Sequence, residues 1–141
     1  MALASVSDRA VERATLILGE FCWNLQSLMY QKVHPNLYNV KKSYKIKHIA
    51  EDMEDLKDER QKREAQGRWV ALKKKLNWTK THTRAVKSIQ DSRNRAAHPE
   101  FNEILLTESV ALMKKEGKLT DWHDADCVDE LIAMWKTLNQ A

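Results

Sequence analysis

Apolar residues recur at alternating spacings of three and four near the start of the chain. The repeat comprises Val11, Ala14, Leu18, Phe21, Leu25 and Leu28. In an α-helix this spacing places every member on one face, along about six turns. The pattern therefore predicts a long helix that buries one apolar stripe, either inside the monomer or against a second copy of the chain.

The whole chain is poor in the residues that turn strands and build phosphate-binding loops. Only 3 Gly and 2 Pro occur among 141 residues, which argues against a β-sandwich, a Rossmann unit and a disordered chain. A hydrophobic content of 43% can form a core, and a charged content of 31% can cover it. Because chains of this length usually build one core, we expect residues 1–141 to form a single all-α domain.

Further apolar repeats predict the remaining helices. Pro35 and two Asn favour a loop at residues 34–40. Five later segments carry helical spacing: Ile46 to Leu56, Trp69 to Leu76 after Gly67, Thr81 to Ala97, the region of Val110 and Met113 closed near Gly117, and Val128 to Leu138. The first two of these fit two helices or one long kinked helix. The sequence thus predicts a bundle of five or six helices.

Targeting and redox features favour an intracellular protein, cytoplasmic or nuclear. No apolar run reaches the roughly 18 residues of a membrane span, and the N-terminus lacks a secretory pattern. Cys22 and Cys127 are the only cysteines, too few for a disulfide framework. We therefore expect no membrane association and a reducing compartment.

Charge is distributed unevenly along the chain. Residues 41–95 hold 17 Lys and Arg against 8 Asp and Glu, whereas residues 96–141 hold 4 against 9. A basic segment attracts polyanions because its side chains displace the counterions of phosphates. RNA is therefore a predicted partner, although the acidic residues within positions 51–64 also fit a solvated helix face.

The segment from Asp91 to Glu100 concentrates the polar groups best suited to chemistry. Arg93 continues the stripe of His82, Val86 and Ile89, so it is paired, exposed at an edge or directed into a cleft. Pro99 disfavours a helical conformation for His98 and predicts the end of the helix there. This ending would keep Arg93 and His98 from diverging around a regular helix.

The string Arg93-Asn94-Arg95-Ala96-Ala97-His98 resembles the signature of HEPN domains, the helical nucleotide-binding domains of higher eukaryotes and prokaryotes. The resemblance covers the motif, the all-helical character and the length. It implies a homodimer with two motifs at a shared cleft, and a metal-independent endoribonuclease without a cofactor. Attack of a 2′-hydroxyl on the adjacent phosphate would then give 2′,3′-cyclic phosphate and 5′-hydroxyl ends.

The resemblance also implies roles for individual residues in that reaction. His98 would act as a base or an acid near neutral pH. Arg93 would bind the phosphate oxygens, and Asn94 would orient the imidazole or the phosphate. Arg95 would add a contact to RNA.

Other functions of the same residues stay open. Arg93 also fits an ion pair with Asp91 or Glu100. His98 also fits a cap at the end of the helix. The chain would then be a non-catalytic dimerisation or partner-binding module, or an RNA- or nucleotide-binding domain without turnover.

A second predicted RNA contact is the run Lys73-Lys74-Lys75 near Trp69 and Trp78. Lysines beside aromatic rings are typical of single-strand binding surfaces, yet both tryptophans also fit the core. The segment from Asp121 to Cys127 contains metal-ligand types without zinc or EF-hand spacing, so we expect helix capping there and no metal.

Overall fold

The computed structural model describes residues 6–40, 44–91, 99–119 and 125–140. Within these ranges the regular elements are helical. They are α1 (Val6–Val33), α2 (Pro35–Val40), a 3₁₀ turn (Ile46–His48), α3 (Ile49–Glu54), α4 (Glu59–Leu76), α5 (Lys80–Asp91), α6 (Glu103–Lys115) and α7 (Ala125–Gln140). The all-α bundle predicted from the sequence is confirmed.

Helix α1 forms the centre of the bundle and contacts α2, α4, α5, α6 and α7. Its predicted stripe faces inward: Ala14, Leu18, Phe21 and Leu25 are buried, and Val11 and Leu28 pack at the margin of the same core. All seven described α-helices contribute to one connected apolar cluster, which includes Leu37, Met53, Trp69, Ile89, Met113 and Leu131. The α1 stripe is therefore satisfied largely within the monomer.

The described ranges contain seven α-helices, more than the five or six predicted. The loop predicted at residues 34–40 is wrong, because Pro35–Val40 forms α2. Proline is compatible with the first position of a helix, where its missing N–H has no helical partner. The Nδ1 of His34 accepts a hydrogen bond from the Asn36 backbone N–H at 3.1 Å, which satisfies another exposed donor of this first turn.

The segment between residues 46 and 76 forms separate helices instead of one kinked helix. Helix α4 begins well before Gly67, because the Asp58 carboxylate accepts hydrogen bonds from the backbone N–H groups of Arg60 and Gln61. Helix α4 ends at Leu76 and is capped by Asn77, which adopts a left-handed conformation with φ of 55°. Gly117 has φ of 67° after α6, where the sequence predicted helix closure.

None of the helices within the described ranges is both long enough and apolar enough to span a membrane. Both cysteines are buried, and they form no disulfide in the described part of the chain.

Candidate functional site

The predicted catalytic residues Arg93, Asn94 and His98, together with Arg95, lie outside the described residues. The description stops at Asp91, the last residue of α5, and resumes at Pro99 ahead of α6. Both flanking helices pack against α1. The motif therefore connects two helices that contact the central helix of the bundle.

A polar cavity of 210 Å³ lies along one side of α5, from Thr83 to Asp91. We call it the lysine cavity. Its lining comprises Gln26 from α1, Lys45 and Lys47 at the 3₁₀ turn, and Thr83, Lys87, Gln90 and Asp91 from α5. Asp91 precedes Arg93 by two positions in the sequence. The lining of the lysine cavity therefore comes within two residues of the predicted catalytic motif along the chain.

Gln26 joins the three elements around the lysine cavity. Its side chain is almost completely buried. Its Nε2 donates to the Cys22 carbonyl at 3.0 Å and to Gln90 Oε1 at 2.9 Å, and its Oε1 accepts from the Ile46 backbone N–H at 2.9 Å. Both amide hydrogens and the amide oxygen are thus engaged, so Gln26 positions the cavity wall and leaves ligand binding to its neighbours.

Tyr30 holds the other side of the 3₁₀ turn. Its buried hydroxyl lies 2.6 Å from Asp52 Oδ2 and 2.9 Å from the Lys45 carbonyl oxygen. Burial raises the pKa of Tyr30 strongly, and the hydrogen bond and negative charge of Asp52 add to the effect. The neutral hydroxyl is therefore maintained, and the backbone of Lys45 is fixed against α1.

The charge of the lysine cavity is predominantly positive. Three lysines line it together with a single carboxylate, that of Asp91. Lys87 Nζ lies 2.8 Å from Asp91 Oδ2, and both side chains are about half exposed. Such an exposed pair is weak, so Lys87 can exchange Asp91 for an anion at little cost. The arrangement suits a negatively charged ligand that carries several hydrogen-bond acceptors.

The predicted RNA contacts Lys73, Lys74 and Lys75 lie in the last turn of α4. Trp69 and Trp78 are buried and belong to the core. Lys73 Nζ lies 5.2 Å from the centre of the Trp69 ring, in a cation–π contact within the chain. The described geometry therefore leaves Lys74 and Lys75 as the more exposed charges and removes the two tryptophans from a base-stacking surface.

Lys75 also lines a larger, open cleft of 780 Å³ between the α4–α5 connection and α7. His82 is buried in its wall, with Nε2 at 2.7 Å from Glu130 Oε2. His82 Nδ1 accepts from the Thr79 backbone N–H at 3.0 Å, so a neutral ring carries its proton on Nε2 and donates it to Glu130. Both ring nitrogens are engaged, which makes His82 a link between helices.

Sequence reasoning missed both of these features. The spacing of Thr79 and His82 is that of a helix N-cap and the third helical residue, and this signal could have identified the cap. Lys45 and Lys87 are far apart in sequence, so no local pattern indicates the lysine cavity. Within the described ranges, no three His, Cys, Asp or Glu side chains come together as metal ligands.

Comparison of the chain with protein families, with curated proteins and with solved structures finds no match in any of the three.

Proposed function

We propose that this protein is a metal-independent endoribonuclease that acts through Arg93 and His98 and resembles HEPN domains in its motif. One observation carries the proposal: the motif follows directly on α5, and the last turn of α5 forms a wall of the lysine cavity. The lysine cavity supplies cations suited to phosphate, and the motif that follows α5 in the sequence supplies an Arg and a His. This combination is what RNA cleavage by its own 2′-hydroxyl requires.

The proposed reaction divides three tasks among the side chains of the motif. A base takes the proton of the 2′-hydroxyl while the 2′-oxygen forms a bond to phosphorus. The bond from phosphorus to the 5′-oxygen breaks, and an acid gives a proton to that leaving oxygen. His98 fits the role of base or acid, and Arg93 neutralises the non-bridging oxygens as charge accumulates on them.

A homodimer supplies the second acid–base group in this scheme. One His98 would act as the base and its partner copy as the acid, with Asn94 orienting the imidazole or the phosphate. Two imidazoles that share one phosphate titrate as a coupled pair. The activity would then show a bell-shaped dependence on pH.

The test is cleavage of a mixed RNA pool in excess EDTA by the wild type, His98→Ala and His48→Ala. We expect cleavage by the wild type, loss of it in His98→Ala, and retention in His48→Ala. His48 is the matched control because it is a partly exposed histidine that contacts Glu51. Equal cleavage by wild type and His98→Ala would contradict the proposal, and circular dichroism checks that both variants are folded.

The lysine cavity also favours a second function, RNA binding without turnover. Its cations would bind phosphate whether or not His98 cleaves the RNA. In that case His98→Ala would leave RNA affinity unchanged and no wild-type preparation would cleave RNA. The affinity would still fall steeply with added salt.

A further inference from the structure

The lysine cavity has a volume of 210 Å³, and its lining comprises three lysines, two glutamines, Thr83 and Asp91. We propose that it binds a phosphate of single-stranded RNA other than the one that is cleaved. This inference rests on the proposed function, because it assigns the scissile phosphate to Arg93 and His98. The space exceeds that of one water molecule, about 30 Å³ in the liquid, and so admits a larger anion.

The cavity walls are fixed before any ligand arrives. The buried amide of Gln26 accepts from the Ile46 backbone N–H and donates to Gln90. Tyr30, on the same helix, donates to the Lys45 carbonyl. The backbone between Lys45 and Lys47 is therefore tied to α1, while Gln26 also ties α5 to it. A preorganised site loses less conformational entropy on binding than a site on an untethered loop.

The cations approach the cavity from two different elements. Lys45 and Lys47 belong to the 3₁₀ turn region, and Lys87 to α5. Gln90 accepts from Gln26 through Oε1, so a hydrogen bond from Gln90 to an anion would come from its Nε2. Donors from two elements match a phosphate, whose non-bridging oxygens point in different directions.

The position of the cavity along the chain favours a phosphate other than the reacting one. Asp91 lines the cavity, and Arg93 is only two residues further along the chain. The inference therefore assigns one phosphate of the strand to the lysine cavity and the scissile phosphate to the motif that follows α5 in the sequence. A phosphate contact in the lysine cavity would stabilise the bound substrate and the transition state equally. Loss of the contact would therefore raise KM and leave kcat unchanged.

The test measures binding of a fluorescein-labelled single-stranded RNA of mixed sequence. The parent protein is His98→Ala, which is expected not to cleave the RNA during the measurement. Three further changes, Lys45→Gln, Lys47→Gln and Lys87→Gln, are added singly and together. Lys115→Gln is the matched control, because Lys115 is an exposed lysine in the last turn of α6. Circular dichroism melting checks that each variant folds.

The expected readout is the salt dependence of RNA affinity. For single strands, each lost phosphate contact reduces the ratio of affinities at about 50 and 200 mM salt by roughly 2.6-fold, and three contacts reduce it by roughly 18-fold. Lys115→Gln should leave this ratio unchanged. With His98 restored, the single lysine variants should raise KM for RNA cleavage and keep the wild-type kcat.

Several outcomes would overturn the inference. If the triple variant kept the salt dependence of its parent, RNA would not bind in the lysine cavity, even if the wild type cleaves RNA. The three lysines could also prove necessary for binding inorganic phosphate or a nucleoside monophosphate but not for binding RNA. That result would assign the cavity to a small phosphate compound. Conversely, lysine-dependent RNA binding by a protein that never cleaves would support the cavity and reject only the proposed catalysis.

Discussion

Tyr30 illustrates how one buried polar group fixes the 3₁₀ turn against α1. Its hydroxyl contacts both the Asp52 carboxylate and the Lys45 carbonyl, and Tyr44 packs against its ring with centroids 5.4 Å apart. Ionisation of Tyr30 would place a second negative charge beside Asp52 in a buried position. The pKa of Tyr30 is therefore raised in the folded protein.

This raised pKa predicts a loss of stability in alkali. The unfolded chain releases the Tyr30 proton near the ordinary pKa of about 10, whereas the folded chain retains it. Above that pH the unfolded state binds fewer protons, so the free energy of unfolding falls by up to about 1.4 kcal/mol per pH unit from this group. Urea denaturation across this range should show a shallower decline for Tyr30→Phe than for the wild type. Parallel declines would contradict this account of Tyr30.

At the scale of elements, His82 connects the start of α5 to α7. It accepts from the Thr79 backbone N–H and contacts Glu130 through its other nitrogen. Trp78 lies beside the imidazole, with ring centroids 5.3 Å apart. The first turn of α5 thus obtains both a cap and a tertiary contact from one buried side chain.

We expect His82→Ala to lower the free energy of unfolding by about 2–3 kcal/mol, since it removes a cap and leaves a backbone donor without its acceptor. Glu130→Gln should cost less, because its side-chain amide oxygen still accepts from His82. Chemical denaturation measures both effects. His82→Ala that keeps wild-type stability but loses RNA cleavage would instead place His82 in the catalytic machinery.

Long helices were predictable from the sequence, whereas short ones were not. The stripes of α1 and α7 repeat often enough to determine a buried face. Helix α2 has only six residues, and its Pro35 carries the same local signal as a turn. Whether Pro35 begins a helix depends on the groups around it, which include the Nδ1 of His34.

At the scale of the whole molecule, the candidate site combines a local motif with a nonlocal cavity. The Arg93-to-His98 string is readable in sequence because its residues are neighbours, although it lies outside the described residues. The lysine cavity requires α1 to bring the 3₁₀ turn and α5 together through Gln26. The excess of basic residues at positions 41–95 indicated a polyanion partner without indicating which lysines share a cavity.

The most direct test of the central claim is the chemistry of the RNA ends produced by the wild-type protein in excess EDTA. Attack by the 2′-hydroxyl predicts 2′,3′-cyclic phosphate and 5′-hydroxyl ends, and no cleavage of the same sequence carrying 2′-O-methyl groups. Products with 3′-hydroxyl and 5′-phosphate ends, or cleavage of the 2′-O-methyl strand, would contradict the proposed mechanism.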